Sequence, residues 1–190
     1  GYCCDIGVHV FPMEKFGRLR QRLVAEGHVA EGAILEPAPA SREELARVHG
    51  AEYLDDLEAL RWTRRTKSSE LPLTEEIVQA YRLAAGGTTL AAREALAGGF
   101  GINLGGGFHH AHADHAEGFC YLNDIAVAIR TLQHAGEVRR VAVVDCDVHQ
   151  GNGTATLFRG DDRVFTFSIH QEYNYPLPKE PGDLDVGLED

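Results

Sequence analysis

The sequence predicts an α/β domain built on a parallel sheet flanked by helices. Three observations predict it. Short apolar strand candidates at Phe100–Leu104, Val141–Asp145 and Val164–Ile169 are each bounded by turn chemistry. Helical segments at Tyr121–His134 and about Thr154–Arg159 separate them. Strand, helix, strand, helix, strand in that order calls for crossover connections, which place helices on both faces of a parallel sheet.

The elements before these are mostly helical. Met13 to Glu26 carries Phe16, Leu19, Leu23 and Val24 as one apolar stripe, closed by Gly27. A short strand, Ala33–Glu36, runs into Pro37 and Pro39. Ser41-Arg42-Glu43-Glu44 is a capping box that opens a helix, and a second helix spans about Ala51 to Trp62. Arg64–Pro72 is polar and reads as a surface loop. Thr74 to Leu96 is a long helical pattern, interrupted or tightly packed at Gly86-Gly87.

The 190 residues suffice for one sizeable domain with a real core and hardly for two. No apolar run approaches the roughly 18–20 residues that span a bilayer. The start, Gly1-Tyr2-Cys3-Cys4-Asp5, reads as a trimmed edge and not as a signal peptide. Eighteen basic against 29 acidic residues give a formal charge of −11. Such a field argues against nucleic acid or an anionic membrane and favours a cationic partner, such as a basic peptide tail or a polyamine. Cys3, Cys4, Cys120 and Cys146 form no CxxC pair, so a reducing cytoplasm is expected and not a disulfide framework.

Parallel sheets carry their sites at the C-terminal ends of strands, which directs attention to 105–115 and 145–152. Val141-Ala-Val-Val-Asp145-Cys-Asp147-Val-His149 is an apolar strand that turns polar at its end. Continued extension would project Asp145, Asp147 and His149 on one face, where a carboxylate and an imidazole two residues apart reach one metal. Gly151-Asn152-Gly153 then permits a tight turn beneath the site. The second cluster is Gly105-Gly-Gly-Phe-His109-His110-Ala-His112-Ala-Asp114-His115. His109, His110, His112, His115 and His149 are five of the chain's ten histidines, a density suited to general acid/base chemistry. Blander readings are a helix-capping strand end and a histidine-rich solvent loop.

A rival motif overlaps the second cluster. His110-Ala-His112-Ala-Asp114-His115 satisfies H-x-H-x-D-H, the signature of the metallo-β-lactamase superfamily, with His170 available as a later ligand. That motif belongs after antiparallel strands, whereas mostly helical chain precedes it here. It also leaves Asp145–Gly153 unexplained. No G-x-S-x-G, G-x-G-x-x-G or GK[ST] occurs, and Cys120 and Cys146 lie in apolar segments that suggest buried structural thiols.

Three segments in register resemble the histone-deacetylase and acetylpolyamine-amidohydrolase family, in the manner of its class IV-like and bacterial members. They are Gly105-Gly-Gly-Phe-His109-His110, then Gly118-Phe-Cys-Tyr-Leu-Asn-Asp124, and Asp145-Cys-Asp-Val-His149-Gln-Gly-Asn152-Gly-Thr. The match extends thinly from His9 to Asp190. The resemblance implies the arginase/deacetylase fold, incomplete in this chain, with residues 1–190 as the N-terminal part of a single catalytic domain. It implies zinc-dependent hydrolysis of an acylated lysine or acylated amine, and a structural potassium ion. Asp147 and His149 would be two of three zinc ligands. His110 would be the general base and then the acid, oriented by Asn152, and His109 its electrostatic companion, oriented by Asp145. Gly118 and Phe119 would line a narrow substrate tunnel, with Tyr175 as the opposite wall. Backbone oxygens of Asp145, Asp147 and His149, with Ser168 and Ile169, would surround the potassium. Lys15 stands where many relatives have an arginine near the pocket base. The third zinc ligand and the carbonyl-polarising residue fall beyond Asp190, so the isolated chain is expected to show little turnover. A non-catalytic relative that only binds acyl-lysine is the remaining alternative.

Overall fold

The computed structural model describes residues 6, 12 and 14–189. Its sheet has three strands, β1 (Val141–Asp145), β2 (Val164–Gln171) and β3 (Leu184–Leu188), in spatial order β1-β2-β3 and parallel throughout. The helices are α1 (Glu14–Ala25), α2 (Arg42–Leu45), α3 (Ala51–Glu58), α4 (Arg64–Lys67), α5 (Glu75–Gly98), α6 (Asp124–His134) and α7 (Asn152–Phe158). The expected helix at 13–26 is thus α1, though Met13 lies outside the described residues.

Helix α5 runs unbroken for 24 residues, from a Thr74 cap to the left-handed Gly99. Gly86 does not interrupt it. A side chain there would run into the Ala38 carbonyl, so the glycine lets residues 38–40 cross the helix at backbone contact. Helix α6 packs along α5, and Tyr53, Leu54, Ile77, Tyr81, Tyr121 and Leu122 join α3, α5 and the α6 approach in one apolar cluster. A second cluster joins Ala126 and Ile129 of α6, Val143 of β1, Phe158 of α7 and Val164 of β2.

The capping box at Ser41 forms as expected, with Ser41 and Glu44 each bonding the other's backbone N–H. Several expectations are corrected. Ala33–Glu36 is no strand: a 3₁₀ turn covers Glu31–Ala33, and the proline-bearing chain beyond it joins no ladder among the described residues. Phe100–Leu104 is not a strand either. Extended chain needs a ladder partner, and here Phe100 and Ile102 stand 78% and 73% exposed while Gly101 lies against the Ala91 carbonyl of α5. Arg64–Lys67, expected as loop, is one helical turn capped by Thr63. The second strand continues to Gln171, and β3 was not anticipated.

Among the described residues, helices flank the sheet on one face instead of both. Val143, Val164, Thr166 and Ser168 face α6 and α7, whereas Val144 is 66% and Phe165 48% exposed on the opposite side. Parallel sheets are ordinarily buried on both faces, whereas the described residues leave this apolar face open.

Candidate functional site

Strand β1 ends at Asp145, and the next residues do not continue it. The Asp145 carboxylate accepts the N–H of Asp147 (3.0 Å), and the Asp147 carboxylate accepts the N–H of His149 (2.8 Å). Two successive Asx turns therefore gather these side chains, not strand alternation. The result still brings Asp147 and His149 together, with Nδ1 of His149 3.1 Å from Oδ1 of Asp147. That separation is close to the edge of about 3.3 Å between ligand atoms around a tetrahedral zinc. The pair fits one side of a metal site and needs further donors. Lys15 lies within electrostatic reach of Asp147, and its ammonium is held below its ordinary range first by burial.

The histidine turn is held from below. Asp124, the first residue of α6, accepts the backbone N–H groups of Gly107 (3.1 Å) and Phe108 (2.7 Å), and the Thr88 hydroxyl. Burial raises its carboxyl despite these bonds. Asn123 caps α6 through the N–H of Ala126 (3.0 Å) and donates to the Thr154 hydroxyl (3.0 Å) and the Ala111 carbonyl (3.3 Å). Thr154 of α7 in turn donates its N–H to the His109 carbonyl (3.0 Å). The Asn-Asp pair thus ties two helices to one loop. His49, 2% exposed, completes the support: Nδ1–H donates to the His112 carbonyl (2.9 Å), and Nε2 accepts the N–H of Asn123 (3.2 Å).

His109 and His110 stand 4.1 Å apart with separate orienting partners. Nδ1 of His109 lies 2.6 Å from the Asp145 carboxylate. Burial is the largest influence and would raise that carboxyl, but the His109 bond and charge, with the Asp147 N–H and His110, together outweigh it and hold it low. Nδ1 of His110 lies 2.7 Å from Oδ1 of Asn152. An amide oxygen only accepts, so the His110 proton sits on Nδ1 and Nε2 carries the lone pair. Burial first, and His109 second, lower the His110 imidazolium to about 4, which leaves the ring neutral at physiological pH.

Glu117, which sequence reasoning passed over, fixes Asn152. Its Oε1 accepts from the Asn152 amide N–H (2.6 Å) and the Tyr175 hydroxyl (2.9 Å). Burial would raise the Glu117 carboxyl, but bonds from His112, His115, Asn152 and Tyr175 together hold it far below its usual range. No motif or spacing in the sequence marks Glu117, which meets Asn152 and Tyr175 only through the fold.

Tyr175 covers the pair, its ring 5.1 Å from His110 and 6.0 Å from His149. Gly118 fills the space between: a side chain there would approach the His110 ring to 2.6 Å and the Tyr175 ring to 3.0 Å. Phe119 follows in a left-handed conformation (φ 62°), held by its N–H to Ser69 (3.0 Å) and by the Tyr81 hydroxyl on its carbonyl. Gly151 is required for room, not for a special dihedral, since its φ is −74°. A side chain there would strike the Asp145 carboxylate and the His109 ring. Gly151→Ala is expected to cost about 1–3 kcal/mol in urea denaturation through this overpacking.

Other candidates take different places. Asp145 and Ser168 are register partners across β1 and β2 and line one small cavity with Gly151, Thr166, Gly182 and Asp185, whereas Asp147 and His149 lie on the loop beyond it and Ile169 follows on β2. Gln150 is buried and clamps the approach to β3, bonding Glu180 and Asp185. Cys120 is buried, and burial pushes its thiol up, but Cys146 is exposed, contrary to expectation. The H-x-H-x-D-H residues do not act as a unit: His110 turns to Asn152, His170 to Ser168 (2.8 Å), and His112 and His115 to Glu117.

The histone deacetylase domain model matches residues 9–188. The chain is 41% identical over 181 residues to an uncharacterized protein of Picosynechococcus sp., covering 95% of this chain and 60% of that protein. It is 35% identical over 184 residues to a histone deacetylase-like amidohydrolase of Pseudomonas aeruginosa, covering 94% of this chain and 48% of the relative. The crystal structure of an HDAC homologue from Aquifex aeolicus superposes with a TM-score of 0.81 at 30% identity, covering 90% of this chain and 52% of that one. The chain thus spans about half to three fifths of the length of the relatives it matches.

Proposed function

Because the chain belongs to the histone deacetylase family, we propose that residues 1–190 are the N-terminal part of one catalytic domain that hydrolyses the amide of an acylated lysine or a similar acylated amine. The observation that carries this reading is the pairing of two oriented imidazoles with a carboxylate and imidazole that suit a metal. Asp147 and His149 would hold a zinc ion, which when bound polarises the amide carbonyl and makes water more acidic.

The chain's own groups would do the rest. Nε2 of His110 takes the proton from the attacking water as the new C–O bond forms at the acyl carbon. The C–N bond then breaks, and His110 returns that proton to the leaving nitrogen, giving a carboxylic acid and an amine. At neutral pH these exchange the acid's proton to become a carboxylate and an ammonium. The Asp145 carboxylate behind His109 holds a compensating negative charge beside the His110 imidazolium. Gly118 and Phe119 would line the acyl-lysine tunnel with Tyr175 opposite, and Asp145, Asp147, His149, Ser168 and Ile169 would surround a potassium ion. The net charge of −11 suits a cationic peptide or polyamine and not nucleic acid. Among the described residues no helix is long and apolar enough to cross a membrane. A cytoplasmic site of action belongs to the same proposal and rests on cysteine usage.

The test is hydrolysis of acetyl-lysine peptides, longer acyl-lysine peptides and acetylated polyamines by the intact protein. Turnover should vanish after chelation and return with zinc. Hydrolysis that ignores the chelator, or binding of acyl-lysine with no turnover at all, would sink the reading. The 190 residues alone should show little activity, since Asp147 and His149 supply only part of a ligand set.

A further inference from the structure

Among the described residues, the one cluster of three side chains able to converge on a metal is not the Asp147–His149 pair but His112, His115 and Glu117. The rings of His112 and His115 stack at 4.3 Å with 9° between their planes. Nε2 of His112 lies 3.2 Å, and Nε2 of His115 3.6 Å, from the same Glu117 oxygen, Oε2. Ligand atoms around a tetrahedral zinc sit about 3.3 Å apart, so small side-chain rotations would seat an ion among all three.

The outward atoms of the cluster are already occupied. Nδ1 of His112 bonds the Thr156 hydroxyl (2.9 Å), and Nδ1 of His115 bonds the Asp114 carboxylate (2.7 Å). Oε1 of Glu117 is taken by Asn152 and Tyr175. Metal-bound histidines nearly always have their second nitrogen fixed this way, which leaves the inward atoms free to converge. The Asn152 amide also approaches Nε2 of His112 at 3.3 Å, a contact that its stronger bond to Glu117 makes dispensable. The three side chains are half-buried, so solvent reaches the remaining coordination position.

We propose that His112, His115 and Glu117 form a second divalent-metal site of zinc type, separate from the Asp147–His149 pair. Two imidazoles and a carboxylate suit zinc and cobalt and are poor partners for calcium or magnesium. The site adjoins the acid/base pair, since Glu117 holds the amide that orients His110. An ion on Oε2 would restrain Glu117 and, through it, Asn152.

The experiment dialyses the chain and its variants against zinc, counts bound metal, and repeats the titration with cobalt, whose visible spectrum reports nitrogen and oxygen coordination. His115→Ala and Glu117→Gln should each bind one equivalent less than wild type and lose the same cobalt bands. Circular dichroism confirms that both remain folded, and His115→Asn serves if alanine does not. Asp147→Ala should leave those bands intact. Zinc stoichiometry and cobalt spectrum unchanged in folded His115 and Glu117 variants would overturn the second site. Loss of nothing in Asp147→Ala would instead count against the catalytic reading and leave this site standing.

Discussion

His110→Ala should lower kcat for an acyl-lysine substrate by about 10²–10⁴-fold, the usual contribution of a positioned acid/base group, with KM little changed. The size follows from the geometry. His110 has its proton fixed on Nδ1 by an amide that only accepts there, its Nε2 lone pair available, and a ring kept neutral by burial. None of its hydrogen-bonding atoms is spent on Asp147 or His149, so bound zinc should stay at the wild-type level. Asn152→Ala should show the same signature with a smaller loss of about 10–100-fold, because it orients the base without touching substrate. If His110→Ala retained activity within tenfold while His109→Ala lost it, the roles of the two rings would be exchanged.

The candidate site was largely legible because its residues are close in sequence. Asp145 at the end of an apolar run, Asp147 and His149 behind it, and the paired histidines after three glycines point to one location without any fold. The reason they meet was not legible from strand periodicity. Asx turns at Asp145 and Asp147 curl the chain, an outcome set by carboxylates bonding N–H groups two residues on.

Long-range consequences were hidden for a different reason. β3 carries Asp183 and Asp185 in and beside it, residue types depleted in strands, and forms because β2 offers a ladder and Thr166 binds the Asp183 carboxylate. Phe100–Leu104 has a strand's composition, yet among the described residues β1 ladders with β2 alone and no strand pairs with that segment. Composition cannot say whether a ladder partner exists. Cys146 was misplaced likewise: its apolar neighbours are themselves exposed, Val144 at 66% on the open face of the sheet and Val148 at 51% in the loop beyond β1. Glu117 escaped notice because its partners Asn152 and Tyr175 are distant in sequence.

His49 should make the fold acid-sensitive. Its imidazole is 2% exposed, and burial lowers it from 6.5 to about 4. Both nitrogens are committed in the neutral form, Nδ1–H to the His112 carbonyl and the Nε2 lone pair to the Asn123 N–H. A second proton would set N–H against N–H at the buried start of α6. The unfolded chain takes up that proton near pH 6.5, whereas the folded chain resists it down to about pH 4. Between these values the unfolded state binds more protons, so stability is complete above about pH 6.5 and falls as the pH drops through the window. At about 1.4 kcal/mol per pH unit, the loss reaches about 3 kcal/mol. Urea denaturation at pH 7.5 and pH 4.5 should therefore show a larger drop for wild type than for His49→Gln, which keeps a donor and an acceptor but cannot titrate. The variant will be less stable at neutral pH, because a flexible amide replaces a ring that bridges two backbone segments. The decisive quantity is the gap between the two proteins, which must narrow on acidification. A gap independent of pH would mean that His49 is protonated in the fold, and the bonds to His112 and Asn123 would need another arrangement.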